Sequence, residues 1–133
     1  MDRQPRWIVG TQQLTVEDVR ASTRFPDAVA RTAWPIELHG RPEGVYWETF
    51  PDDHLHYVPF GSLKPEGADN LLAVGRCIDA DVAALSSVRV MGPCIAMGAA
   101  AAHALDLAGE GSVHAIDNAA LQERLKDNLQ RTR

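Results

Sequence analysis

The spacing of the prolines is the feature that most restricts what this chain can fold into. Six prolines fall between residues 24 and 67, at positions 26, 35, 42, 51, 59 and 65. Proline lacks an amide hydrogen and clashes with the preceding helical turn, so this stretch excludes a long helix. Residues 32–39, 44–50 and 54–60 are bounded by Pro, Gly or Asp and are rich in β-branched or aromatic side chains. They are predicted to form short antiparallel strands.

The segment before the prolines predicts local structure only. Residues 6–10 are predicted to form a short strand. Thr15 is a candidate N-cap, and the acidic residues Glu17 and Asp18 in the first turn favour a short helix that ends near Ser22.

A different pattern begins after residue 70. Residues 71–74 read Leu-Leu-Ala-Val and are followed by Gly75, which predicts a strand buried on both faces. After a loop over residues 77–90, a helix is predicted from Gly92-Pro93 to Gly109, because proline suits the first helical turn and the helix body is rich in alanine. Residues 117–129 predict an amphipathic helix with leucine every fourth residue.

Composition places the chain among ordinary globular proteins of 133 residues, large enough for one core. The net charge is -5 and the basic residues are scattered, so no nucleic-acid partner is expected. The longest uncharged run, residues 90–105, is shorter than the roughly 20 apolar residues of a membrane span, so no membrane partner is expected. Residues 1–10 lack the apolar stretch of a signal peptide. The two cysteines are predicted to be free thiols in a cytoplasmic protein.

The order strand, loop, helix around Gly75 and Gly92 indicates a ligand site. Strand ends in layered α/β sheets bind ligands, and a helix N-terminus offers N–H donors and a partial positive charge. An ordinary strand, loop and helix packed for stability is equally compatible with this spacing.

Several motifs together resemble the FAD-dependent oxidoreductase family, in the large glutathione-reductase-like group of flavoproteins. The similarity extends from about Trp7 to the final helix. The residues that carry it are Arg24 to Ala28, Val58-Pro59-Phe60, Leu63, Pro65, Asp69 to Ile78, Ser87 to Met91, Cys94, Met97 and Gly98.

The resemblance implies an α+β or α/β fragment of an FAD/NAD(P)-binding fold, with short cap-like antiparallel strands followed by one buried strand and two C-terminal helices. Residues 1–69 would form a β-rich cap or substrate portion, residues 70–110 a flavin-facing strand, loop and helix, and residues 111–133 an amphipathic helix. The implied cofactor is FAD and the implied substrate a small organic molecule. The residues that the resemblance places at the cofactor are Gly75, Arg76, Ser87, Arg89, Val90, Met91, Gly92, Cys94 and Ile95. Cys94 is placed there as a neighbour of the flavin and not as a nucleophile, and no residue is identified as catalytic.

The sequence also departs from the family pattern. It contains no Gly-x-Gly-x-x-Gly turn after a strand, the element that holds the pyrophosphate. We therefore expect this chain to be inactive without an adenylate-binding half. Gly61 stands where a larger, often basic residue is expected.

Alternatives remain open at this point. Arg76 and Arg89 would contact the cofactor or a substrate carboxylate, or pair with Asp79 or Asp81. The chain would otherwise be a truncated module that self-associates through an exposed apolar surface, as a homo-oligomer or with a partner chain. A weaker alternative is a small metal protein, in which His54 and His56 share one face of a strand and His39 or Glu48 supplies a third ligand. A polar strand edge is the simpler interpretation of that histidine pair.

Overall fold

A computed structural model describes residues 6–130 of the chain. Residues 1–5 and 131–133 lie outside the described residues. They are the ends of the predicted portions 1–69 and 111–133, and residues 1–5 are also half of the stretch considered for a signal peptide.

The described chain contains five α-helices and four β-strands. In order they are α1 (Val16–Arg20), β1 (Ala28–Thr32), β2 (Ile36–Arg41), β3 (Gly44–Glu48), β4 (His56–Pro59), α2 (Val82–Val88), α3 (Met91–Ala108), α4 (Asn118–Arg124) and α5 (Lys126–Leu129). Two 3-10 turns, Phe60–Leu63 and Gly75–Cys77, lie between β4 and α2. The chain is therefore a small α+β unit.

The strands form two separate antiparallel ribbons. β1 pairs with β4, with Thr32 opposite His56, and β2 pairs with β3 in a hairpin closed at Arg41 and Gly44. Every residue of β4 is buried, whereas β3 is exposed along nearly its whole length. The β1–β4 ribbon thus belongs to the core and the β2–β3 hairpin lies at the surface.

The helices cover the inner ribbon. α3 and α5 pack against β1, α1 packs against β4, and α2 packs against β2. The core includes Leu14, Ile36, Phe60, Ile78 and Met97, each no more than 1% exposed. Their burial joins both ribbons and the helices into one hydrophobic core.

The predicted buried strand at residues 71–74 is wrong. This stretch has no strand geometry, and Leu71 is 55% exposed. Among residues 6–130 no strand lies beside it, and the Ala73 amide donates instead to the Leu63 carbonyl at 2.9 Å. A strand needs a neighbouring strand for its hydrogen bonds, so the apolar run stays an open loop.

The predicted strand at residues 32–39 is also wrong in its bounds. Pro35 splits it, because proline cannot donate to a ladder, and β1 ends before it while β2 begins after it. Residues 6–10 form no strand either. Their main chain pairs with separate loops instead, with Ile8 donating to the Cys77 carbonyl and Val9 accepting from Glu66. The predictions of α1, β3 and β4 are confirmed to within two residues at each end.

The helical half differs from prediction in two details. The loop predicted at residues 77–90 contains α2, whose N-cap Asp81 accepts a bond from the Ala84 amide at 2.8 Å. The prediction of α3 is confirmed to within two residues, because the helix starts at Met91 and ends before Gly109. The predicted C-terminal helix is interrupted at Leu125.

α3 is long and apolar enough to cross a membrane by length and composition alone. Mostly buried core helices of soluble proteins meet the same criteria, whereas 22% of α3 is buried, at Pro93, Met97, Ala100 and Ala104.

Candidate functional site

The loop before α2 meets the first turn of α3 at Gly75. Gly75 has a φ of +67°, in the left-handed region that favours glycine. A β-carbon added there would lie 3.4 Å from the Cys94 Sγ. A glycine is therefore required here for the backbone turn, and the turn seats the loop against α3.

The N-terminus of α3 is open and has no side-chain cap. Its N-cap, Val90, offers no side-chain hydrogen bond. Pro93 has no amide hydrogen, and the Cys94 amide bonds to the Val90 carbonyl at 3.1 Å. The first-turn amides left without an intrahelical acceptor are those of Met91 and Gly92. A β-carbon on Gly92 would meet nothing within 4 Å, so this end of the helix is accessible.

Two arginines flank this helix end. Arg76 is exposed and Arg89 is half-buried. Burial raises the pKa of the Cys94 thiol, although the positive charges of Arg76 and Arg89 act in the opposite direction. The thiol stays protonated and donates to the Arg89 carbonyl at 3.1 Å. A protonated thiol is a poor nucleophile, which agrees with a neighbouring and non-nucleophilic role for Cys94.

The structure brings most of the predicted site residues together and leaves one apart. Arg76, Arg89 and the first turn of α3 lie together beside the buried Gly75, and on this surface Met91 is 83% and Ile95 is 73% exposed. Ser87 is fully buried, and its hydroxyl donates to the Trp34 carbonyl at 2.6 Å. The Ser87 side chain is thus bound inside the protein and not at the open surface.

An apolar stripe runs along the outer face of α3. Met91, Ile95, Gly98, Ala102 and Leu105 are spaced three or four residues apart, which places them on one side of the helix. Met91, Ile95 and Leu105 are exposed. Contiguous exposed apolar surface is typical of an interface, so this outer stripe is suited to contact another polypeptide.

The opposite side of the loop is held by two carboxylates. Asp79 accepts from the Gly10 amide at 2.9 Å, and Asp81 accepts from the Val16 amide at 2.7 Å. Both acids therefore bind main-chain N–H groups of the segment before β1, and this fixes the loop on which Gly75 and Arg76 stand. In the sequence, Asp81 is followed by a helix-forming run, and this N-cap pattern is the signal that could have indicated α2 and the role of Asp81.

The departure at Gly61 has a structural reason. A β-carbon on Gly61 would lie 2.8 Å from the Gln12 Cβ, and one on Gly10 would lie 2.8 Å from the Gly61 carbonyl oxygen. The two backbones approach too closely for any side chain, so the larger residue expected at position 61 does not fit here.

The histidines do not gather a metal site. Among residues 6–130 no three His, Cys, Asp or Glu side chains are grouped as metal ligands. His39 lies 2.6 Å from Glu37, and Glu48 binds Arg20 at 2.8 Å, so neither joins His54 and His56. The structure gives no support to the metal alternative.

The surface at Gly75 and α3 fits the isoalloxazine ring that the resemblance implies. Free amides and a positive helix end suit the carbonyl groups of the pyrimidine edge. A β-carbon on Gly92 would meet nothing within 4 Å, so the first turn of α3 leaves room for a flat ring at the backbone.

Comparison with known protein families identifies the family of this chain. The model of the family described as FAD dependent oxidoreductase matches residues 2–125. No curated protein and no solved structure matches. The matched range covers nearly the whole chain and contains Gly75, Arg76, Arg89 and all of α3. The chain therefore belongs to the FAD-dependent oxidoreductase family, whose cofactor is FAD.

Proposed function

We propose that this chain is the C-terminal, flavin-facing part of an FAD-dependent oxidoreductase of the glutathione-reductase-like group. The observation that carries the proposal is the open, uncapped N-terminus of α3 beside the Gly75 turn. The adenylate half of FAD is held by another polypeptide segment, either upstream or from a second chain. The apolar stripe of α3 supports this, because it offers a surface for such a segment.

The residues at the junction would hold the ring and tune it electrostatically. When bound, FAD accepts a hydride from an organic substrate. The amides of Met91 and Gly92, with the helix dipole, stabilise negative charge that develops at the pyrimidine edge. Arg76 and Arg89 add positive charge at the same edge, or bind a substrate carboxylate.

The β-rich part serves as the substrate cover in this proposal. The β2–β3 hairpin exposes Tyr46 and Trp47, and the segment just before it exposes Trp34. Aromatic side chains combine a large apolar area with a polar edge, which suits contact with a small organic molecule. The free thiols Cys77 and Cys94 are consistent with a cytoplasmic location.

Chemical-shift mapping of the ¹⁵N-labelled chain with FMN tests the site. We expect shifts confined to the amides of residues 75–77, 89–92, 94 and 95, with residues 36–48 and 118–129 unaffected. Shifts elsewhere, or none at saturating FMN, would reject the site.

The variant Gly92→Asp sharpens this test. The added carboxylate enters open space and suits a helix N-terminus, so the fold is retained. It repels the electron-rich ring edge, so the FMN shifts disappear. Gly98→Ala on the same helix, also in open space, is the matched control and keeps them.

A second candidate function is self-association, and the same stripe on α3 favours it. A second copy would then cover Met91 and Ile95 in place of an adenylate-binding segment. Sedimentation velocity over a range of concentrations separates the two. A dimer that Ile95→Glu dissociates supports self-association, and a monomer at all concentrations rejects it.

A further inference from the structure

A chain of hydrogen bonds runs from the surface into the core through two histidines that the flavin proposal does not use. Ser22 Oγ lies 3.2 Å from His54 Nδ1, and His54 Nε2 lies 3.1 Å from His56 Nδ1. His56 Nε2 lies 2.7 Å from Ser87 Oγ, which in turn lies 2.6 Å from the Trp34 carbonyl oxygen. His56 and Ser87 are fully buried, whereas Ser22 and His54 are half-buried.

The bond from Ser87 to the Trp34 carbonyl fixes the direction of every other hydrogen bond in this series. The Trp34 carbonyl only accepts, so Ser87 spends its one proton there and must accept from His56 Nε2–H. A neutral His56 then has a bare Nδ1, which accepts from His54 Nε2–H. The bare Nδ1 of His54 accepts from the Ser22 hydroxyl. Both neutral rings therefore carry their proton on Nε2.

The same directions determine how added protons are received. One proton placed on His54 Nδ1 breaks nothing, because the Ser22 oxygen turns from donor to acceptor. A second proton, on His56 Nδ1, would face the His54 Nε2–H across 3.1 Å. Two N–H groups and two positive charges would then oppose each other with ring centroids 5.2 Å apart. The hydrogen-bonded series therefore stays intact with one added proton, and a second added proton breaks the bond between His54 and His56.

Uncharged or engaged groups surround His56 on the elements that pack against it. Thr32 lies opposite on β1, and α2 has no charged residue. Arg31, the preceding residue on β1, lies opposite Tyr57 in the strand register and not opposite His56. On α1, Glu17 is exposed, Asp18 binds Thr15, and Arg20 binds Glu48. Asp52 and Asp53 in the loop before β4 are exposed. Burial first, and then the His54 charge, lower the pKa of His56 to about 4.

We propose that the Ser22–His54–His56–Ser87 chain is a two-proton latch on the loop of residues 49–55, which joins β3 to β4. With no proton or one proton added, His54 stays bound between Ser22 and His56, and Phe50 stacks on its ring at 4.0 Å. The second proton expels His54 and releases this loop. The β2–β3 hairpin, attached to the loop, gains freedom with it.

Histidine NMR and amide hydrogen exchange, both measured on the full-length chain, test the latch together. At neutral pH the ¹⁵N spectrum is expected to show both rings protonated at Nε2 only. On acidification, one ring becomes doubly protonated while exchange protection of residues 49–55 is kept. Protection, corrected for the intrinsic rate, falls by about tenfold or more relative to α3 only when the second ring titrates. An Nδ1–H tautomer at either ring, or loss of loop protection with the first proton, would overturn the proposal.

His54→Gln gives an independent check. The glutamine amide bridges Ser22 and His56 without charge and can turn its oxygen toward a protonated His56. We expect the loop in this variant to stay protected while His56 titrates, and the pKa of His56 to rise. A loop that opens at the same pH as in the parent chain contradicts the latch. Should the variant fail to fold, the tautomer and exchange measurements on the parent chain still decide.

Discussion

The segment that precedes β1 and the outer face of α3 are built in opposite ways. Where residues 8–16 meet the loop before α2, each buried polar group has a partner, and no buried side-chain nitrogen or oxygen in residues 6–130 lacks one. The outer face of α3 instead presents Met91 and Ile95 to solvent beside free helix amides. The contrast teaches that residues 8–16, here called the finished side, are hydrogen-bonded within the chain, whereas the outer face of α3 is open to contact with another molecule. Substitutions should therefore affect stability on the first side and binding on the second.

The largest effect is expected where two backbones touch on the finished side. Gly10→Ala places a β-carbon 2.8 Å from the Gly61 carbonyl oxygen and 3.1 Å from the Asp79 Cβ. Neither atom can move freely, so we expect a loss of about 3 kcal/mol in the free energy of unfolding. Urea denaturation followed by circular dichroism measures it.

Gly98→Ala is the matched control for this substitution. It lies in α3 with open space around it, and it is expected to gain roughly 0.5–1 kcal/mol. Equal effects at both glycines would show that the close approach at Gly10 is not tightly packed.

Acid should weaken the core of the protein through His56, which is buried on β4. Its folded pKa of about 4 lies below the unfolded value of 6.5, so the unfolded chain binds the proton first as the pH falls. The contribution is complete above pH 6.5 and is lost progressively down to pH 4, by about 3 kcal/mol in total.

Denaturation at a series of pH values tests this expectation, with His56→Gln as the comparison. Glutamine can donate to Ser87 and accept from His54 but does not titrate. If the variant kept the same loss of stability between pH 6.5 and pH 4, another group would be responsible.

A smaller effect is expected at the N-cap of α2. Asp81→Ala removes the acceptor for the Ala84 amide at 2.8 Å and for the Val16 amide at 2.7 Å. We expect a loss of about 2 kcal/mol. Asp106→Ala, which breaks an exposed ion pair with Arg124, should cost far less, because solvent screens that pair. Thermal unfolding of both variants compares them, and equal costs would contradict the role of Asp81.

The smallest effect on stability is expected on the open face. Ile95 is 73% exposed, so Ile95→Glu should change the free energy of unfolding by no more than about 0.5 kcal/mol. The same change should abolish association through the stripe, whatever covers it. A large loss of stability in the dilute monomer would mean that Ile95 already belongs to the core.

The sequence predicted the features that depend on local chemistry. Proline spacing indicated short strands, and Gly109 marked the end of α3. The run at residues 71–74 misled the prediction because an apolar run shows burial in a sheet only when neighbouring strands exist. The histidine chain was missed because Ser22, His54 and Ser87 are far apart in sequence and only the fold brings them together. The pair His54 and His56 was visible, but its partners were not.

The central claim is that this chain holds the ring end of FAD and leaves the adenylate end to another segment. The most direct test is to titrate the chain alone with FMN and with FAD and to compare the dissociation constants by NMR. The account predicts equal constants, because only the shared ring and ribityl are contacted. If FAD bound ten times more tightly, a gain of about 1.4 kcal/mol, the chain would itself hold the adenylate and the half-site account would be wrong.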